Sequence, residues 1–369
     1  MVITQDAVLE RLAGVEDPEL HRSIVELGMV KAVEIEGGRV RIDVRLTVQG
    51  CPLTQRIERE VKEAVGGLEG VGGPGAVDVH LGVMTPEELR AVGAKVRGGA
   101  SAGAAAAPPP ASPFASGELK TRVLIVASGK GGVGKSTVAA NLGAALAARG
   151  KSVGLLDADI YGFSIPRLVG LTEAPRVITD GVIIPPQASG MKVMSMGSLV
   201  EERQPVIWRG PMLSKLLSQF LGEVQWGEPD YLVVDSPPGT GDVAISLQGQ
   251  LPGGAIVLVT TPQDLAASVA ARVSAMAART GQRVAGVIEN MAFLVCPHCG
   301  KETCVFAGDG GGALARELGV PLLARLPLMP LVSADGDRGR PAVLAAPQSA
   351  EAASFWALAD AVLALAWQP

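Results

Sequence analysis

The chain has 369 residues, of which 48% are hydrophobic but only 3% aromatic, so its core must be aliphatic and its length suits two or three domains. A net charge of −5 argues against a dominant basic surface for nucleic acid. The opening MVITQDAVLERL has no basic start and no unbroken apolar segment, and no stretch reaches the ~18 apolar residues of a membrane span, so a soluble cytoplasmic protein is expected.

Taken in chain order, Val8, Leu9 and Leu12 recur at helical spacing until Asp17-Pro18-Glu19 ends the pattern. Val40, Ile42, Val44, Leu46 and Val48 then alternate with Arg39, Arg41, Asp43, Arg45 and Thr47 behind Gly37-Gly38, which predicts a hairpin. Leu53, Ile57, Val61 and Val65 predict a helix, and Val77, Val79, Leu81 and Val83 a further strand. Together these make a small α+β domain over residues 1–96. Cys51 stands where strand hands over to helix; amide dipoles there acidify a thiol into a nucleophile or metal ligand, although a small buried cysteine fits the same position. Residues 97–118 are Ala, Gly, Ser and Pro with almost no periodic apolar face and read as a flexible tether spanning roughly 25 Å.

From residue 119 to 369, strand-like runs at 122–127, 153–156, 231–235, 255–261, 284–289 and 322–327 alternate with helical patterns. That is the signature of an α/β fold with a doubly wound parallel sheet, which binds ligands at the carboxyl ends of its strands. The first run ends in such a place. In SGKGGVGKST, Gly129, Gly134, Lys135 and Ser136 satisfy G-x-x-x-x-G-K-[ST], a loop whose backbone N–H groups, from Gly129 through Gly131, Gly132 and Val133 to Gly134, cradle the phosphates of ATP. Lys135 reaches the β- and γ-phosphates, Ser136 joins the Mg²⁺ shell and Thr137 backs it. Lys130 is extra to this motif and, on the loop alone, is also explained as an exposed charge.

Further carboxylates follow at strand ends. Asp157 and Asp159 close one strand, and hydrolysis needs one group to orient water and others to hold Mg²⁺ and its shell, while strand-terminal aspartates also cap turns. Asp235 closes YLVVD in the Walker B manner, and Gly239 in the following SPPGTGD is positioned to offer its N–H to the γ-phosphate. Asn290 ends another strand, as a turn residue or as an amide matching the edge of adenine. Cys296 and Cys299 form CxxC in a loop, which suits Zn²⁺, an iron–sulfur cluster or a redox disulfide. Four-ligand metal sites need two more thiolates; Cys304 is loosely spaced, and two chains meeting on a two-fold axis supply them most simply. SAEAASFWALADAVLALAWQP carries an apolar helical face without Lys or Arg and is expected to pack on the sheet rather than to anchor in lipid.

GKGGVGKST resembles the deviant Walker loop of the MinD and Mrp class of ATPases. DADIYGFSIP is similar to the family's switch I, DADIYGPSIP, with Phe163 in place of proline, and DSPPGTGD to its switch II, DLPPGTGD, with Ser236 in place of leucine. With WRGPMLSKLLSQFL and ENMAFLVCPHCG, these stretches resemble the Mrp family of iron–sulfur cluster carrier ATPases, while DPELHRSIVELGMV and VQGCPL resemble the MIP18-like domain. The resemblance implies a homodimer in which Lys130 reaches the nucleotide of the partner subunit, Asp159 positions the attacking water, Asp157 supports the metal shell or the strand end, and Asn290 reads adenine. It implies a cluster, expected to be [4Fe-4S], shared by Cys296 and Cys299 of two subunits, with Cys51 as a transfer thiol. ATP hydrolysis to ADP and phosphate would accompany transfer to apo iron–sulfur proteins, with assembly scaffolds as further partners and neither membrane nor nucleic acid among them. Two alternatives stand beside this: a positioning ATPase of the ParA or MinD kind, and an ATPase whose cysteines form a structural Zn²⁺ site at the dimer interface.

Overall fold

The computed structural model describes residues 3–18, 20, 22–47, 54–96, 112–114, 120–159, 162–179, 182–199, 210–239, 242–263, 266–296 and 298–366. The chain divides into two compact units, Met1–Pro108 with Arg176–Ile184, and Pro109–Pro175 with Pro185–Pro369.

In the first unit, helix α1 (Gln5–Leu12) starts where the Thr4 hydroxyl accepts the Ala7 N–H. Strands β1 (Val30–Glu36) and β2 (Arg39–Leu46) pair antiparallel. Gly37 and Gly38 join them at φ of 55° and 84°, the left-handed pair that a tight two-residue hairpin requires. The alternation read from the sequence holds through Leu46: Val40, Ile42, Val44 and Leu46 are buried, while Arg39, Arg41 and Arg45 are exposed; Thr47, expected on the polar face, is buried. Helix α2 (Thr54–Gly66) lays Ile57, Val61 and Val65 on that face, β3 (Val77–Val83) adds parallel to β2, and α3 (Pro86–Val96) follows. A hairpin of Arg176–Thr179 with Val182–Ile184, from the stretch expected to belong wholly to the nucleotide domain, adds Ile178, Val182 and Ile184 to this core. Cys51 lies outside the described residues, as does most of 97–118; Ser112 and Phe114 within that stretch are buried.

The second unit is built on an eight-stranded sheet. Its strands are β4 (Arg122–Ser128), β5 (Val153–Asp157), β6 (Gln187–Ala188), β7 (Met191–Ser195), β8 (Tyr231–Asp235), β9 (Ala255–Thr260), β10 (Arg283–Glu289) and, past a short hairpin, Leu322–Arg325. In space the order is β6-β7-β5-β8-β4-β9-β10 and then Leu322–Arg325, parallel throughout except for β6. The six runs read from the sequence are all present, because strands covered on both faces are continuously apolar. Strands β6 and β7 are additional. Helix α4 (Lys135–Ala148) lies across the sheet, buried from Val138 to Leu146, and its small residues allow close approach: a Cβ on Gly143 would stand 2.7 Å from the Met191 sulfur. The last helix, Ala350–Leu363, buries Phe355, Leu358 and Val362 in the same core, in keeping with a docked helix. Among the described residues no helix is long and apolar enough to cross a membrane.

Candidate functional site

The loop after β4 turns through Gly132 and Gly134, at φ of 79° and 83°, and delivers Lys135 as the first residue of α4. A side chain is excluded at Gly134 twice over, by that backbone and by the Asn290 amide nitrogen standing where a Cβ would go. Lys130, Gly131, Gly132, Val133, Gly134, Lys135, Ser136 and Thr137 line a cavity of about 270 Å³ together with Asp159. Gly129 stands behind it, where a Cβ would meet Val269 at 2.6 Å. Lys130 points its ammonium at the Gln263 side-chain oxygen, 3.0 Å away.

Opposite charges meet behind the cradle. Lys135 Nζ lies 2.6 Å from Asp235 Oδ1 and 3.8 Å from Asp159 Oδ2, with Lys135 only 6% exposed. Asp235 is fully buried, and its second oxygen, Oδ2, has no hydrogen-bond partner among the described residues. An orphaned buried carboxylate oxygen costs free energy unless a ligand completes it, and with the Ser136 hydroxyl beside the same lysine it fits a hydrated Mg²⁺.

Asp157 sits opposite Asp235 on the neighbouring strand, and both lie behind the residues that line the cavity. Its carboxylate accepts the Asp159 and Ile165 N–H groups and the Ser195 hydroxyl. These bonds tie the strand end to the loop beyond it. Burial, and then the charge of Asp235, pushes the Asp157 carboxyl up to about 7 from 3.8. A folded value above the unfolded one means that the contribution of this group to stability is full below 3.8 and is lost as pH rises through about 7. Asp157→Asn is therefore expected to gain melting temperature relative to the unaltered, nucleotide-free protein between about pH 5 and pH 8; a pH-independent difference would contradict that.

Gly239, expected to face the γ-phosphate, donates its N–H to the Ser128 carbonyl at 2.9 Å. Asn290, expected at adenine, donates its amide to the Val133 carbonyl at 2.8 Å and lines a second cavity of about 280 Å³ with Met291, Pro327, Leu328 and Met329. Gly134 and Thr137 line both cavities, so the phosphate cradle and this largely apolar pocket adjoin.

Four residues beyond Asn290, strand Leu294–Val295 pairs with Glu302–Thr303, and the tip of this hairpin carries the CxxC pair. The Cys296 N–H donates to Lys301 O and the Gly300 N–H to Cys296 O, a turn that Gly300 closes at φ 67°. The Cys296 thiol is held below its usual range because the His298 and Cys299 backbone N–H groups, and then the Cys299 side chain, hydrogen-bond its sulfur. Two neighbouring thiols with amides aimed at one of them make a turn, called the knuckle below, whose donor chemistry suits a soft metal ion. Exposed Val295 and Val305 flank it, and Cys304 is exposed just past the returning strand. Among the described residues no group of three or more His, Cys, Asp or Glu side chains is placed to hold a metal ion, so one described chain offers only part of a four-ligand set.

Sequence reasoning missed Gln263, Ser195 and the contact of Phe163 with Gly197, none of which belongs to a local motif.

A phosphate-binding loop between the central strand and a buried helix, with strand-terminal carboxylates around its lysine, defines a P-loop NTPase. The chain belongs to the family described as NUBPL iron-transfer P-loop NTPase, whose pattern matches residues 120–363. Residues 5–79 match that of iron–sulfur cluster assembly proteins. Over 364 residues the chain is 46% identical to the iron–sulfur cluster carrier protein of Mycobacterium leprae, covering 96% of this chain and 92% of that one. Its counterpart in Bacillus subtilis is 42% identical over 89% of each. Among solved structures, a nucleotide-binding protein from Archaeoglobus fulgidus in complex with ADP is 38% identical, with a TM-score of 0.53 over 59% of this chain and 86% of that chain. The resemblance to carrier ATPases with an amino-terminal assembly domain is thus borne out, as is the α/β fold.

Proposed function

We propose that the chain is an ATP-dependent iron–sulfur cluster carrier that holds a [4Fe-4S] cluster between two copies of itself and passes it to apo-proteins in the cytoplasm. The observation that carries this reading is the Cys296–Cys299 knuckle, two prepared sulfur ligands in a chain whose relatives are named cluster carriers. A second copy supplies the missing pair of thiolates, and the exposed valines beside the knuckle suit such a contact.

On this reading the glycine loop binds the phosphates of ATP, and Ser136 and Asp235, with Thr137 behind, would hold Mg²⁺, which neutralises charge on the β- and γ-oxygens. Lys135 exchanges its bond to Asp235 for the phosphates. Asp159 orients the attacking water. Lys130 leaves Gln263 for the nucleotide of the partner subunit, and Asn290 borders the base. The connection from nucleotide to cargo is short: Met291, held at φ 56°, is followed by Ala292 and Phe293, which bond to Leu326 and Leu328 beside the second cavity before the chain enters the cysteine hairpin. A change at the base wall therefore bears directly on the stem of the knuckle. The amino-terminal domain, tethered through residues 97–118 and using Cys51, would exchange clusters with scaffolds or recipients.

The test is transfer. Anaerobically reconstituted protein is mixed with the apo form of an enzyme whose activity requires a [4Fe-4S] cluster, in the presence of a chelator that captures free iron. Recovery of activity is expected; none, with the cluster still on the carrier, would overturn the proposal. The knuckle also accommodates Zn²⁺, so metal analysis accompanies the assay.

A further inference from the structure

The turn that follows β7 grips the loop carrying Asp159 from two sides. From the inside, Asp157 Oδ1 accepts the Asp159 N–H at 3.1 Å, while Oδ2 accepts the Ile165 N–H at 3.3 Å and the Ser195 hydroxyl at 3.0 Å. The two amides bracket the connection from β5 to the next helix, so one carboxylate pins both ends of it. Ser195 is fully buried and its oxygen accepts the Gly197 N–H at 3.1 Å, which leaves its proton for Asp157. From the outside, the Phe163 ring lies against Gly197 so closely that a Cβ there would run into it. Phe163 is the position where the resemblance would have proline, and here packing against Gly197 supplies the restraint that the ring of proline would otherwise give.

We propose that Ser195, seconded by Gly197, is a positioning residue for nucleotide hydrolysis, holding through Asp157 the loop that sets Asp159 at the attacking water. The inference rests on the reading of Asp159 as the water-orienting residue. The carboxyl of Asp157 has three donors, and deprived of the Ser195 hydroxyl it holds the remaining two less rigidly. Ser195 does not line the phosphate cavity, so its loss acts on the placement of the catalytic group rather than on the binding of nucleotide.

The experiment uses the full chain with Ser195→Ala, Gly197→Ala and Asp159→Asn, measuring steady-state ATP hydrolysis and fragment-resolved hydrogen exchange. For Ser195→Ala and Gly197→Ala, kcat is expected to fall about tenfold with KM for ATP changed less than about twofold. Exchange is expected to quicken in fragments containing Asp159 and Ile165 while α4 keeps its protection. If Asp159→Asn hydrolyses ATP at the unaltered rate, the reading of Asp159 fails. If Asp159→Asn abolishes hydrolysis but the other two leave kcat and local exchange unchanged, the positioning role fails. Faster exchange throughout the sheet, with kcat and KM altered together, would make Ser195 a packing residue and also overturn the proposal.

Discussion

Lys135→Ala is expected to lower ATP hydrolysis by at least about a hundredfold and to destabilise the nucleotide-free protein by about 3 kcal/mol near pH 8. Both effects follow from one geometry. The ammonium that would meet the β- and γ-phosphates lies 2.6 Å from Asp235 and 3.8 Å from Asp159, where the lysine is 6% exposed and the two aspartates 0% and 13%. Removing the cation leaves carboxylates buried beside one another without compensation, which is the costly way to break an ion pair. Burial already raises the carboxyls of Asp157 and Asp235. Toward about pH 5 they take up protons in the variant, so the stability deficit should shrink there. Denaturant unfolding at the two pH values, alongside hydrolysis rates, checks the account; a variant that hydrolyses normally, or whose deficit grows on acidification, would contradict it.

Cys296→Ser with Cys299→Ser should reduce retained iron to background while leaving ATP hydrolysis in the absence of cargo within about twofold. The hairpin depends on backbone bonds between Cys296, Gly300 and Lys301, which serine preserves, so the fold of the tip survives while the soft ligands are lost. Each subunit would give up both of its sulfurs, and a shared site would lose all four. Cys304→Ser is the control: that thiol is exposed and outside the knuckle, and its replacement should leave iron uptake unchanged. Iron retained by the double variant, or lost by the Cys304 variant, would relocate the site.

How far the sequence discloses this site depends on whether its parts are local. The phosphate loop is legible because Gly129 to Thr137 are contiguous and each residue type has a reason to be there. The apolar strands are legible because burial on both faces leaves unbroken runs such as Tyr231–Asp235. By contrast, Met191–Ser195 is a strand whose run MKVMS shows neither alternation nor an unbroken apolar core, and so Ser195 passes as a loop serine. Asp157 and Asp159 look equivalent in LLDADI, yet the first ends its strand fully buried and the second faces the cavity. The partner of Lys130 stands 133 residues away, a pairing that only the sheet order brings about. Gly239 shows a different limit: its N–H, expected at the γ-phosphate, is engaged by the Ser128 carbonyl, a bond no local pattern announces.

The central claim is that two chains share one cluster through paired Cys296 and Cys299. Its most direct test is anaerobic reconstitution with iron and sulfide, followed by iron, labile sulfide and zinc per polypeptide measured together with the molar mass in solution. About two irons and two sulfides per polypeptide on a species of twice the chain mass, reverting to iron-free protein in the double cysteine variant, is the expected result. Stoichiometric zinc without iron uptake, or iron bound to a species of single chain mass, would contradict it.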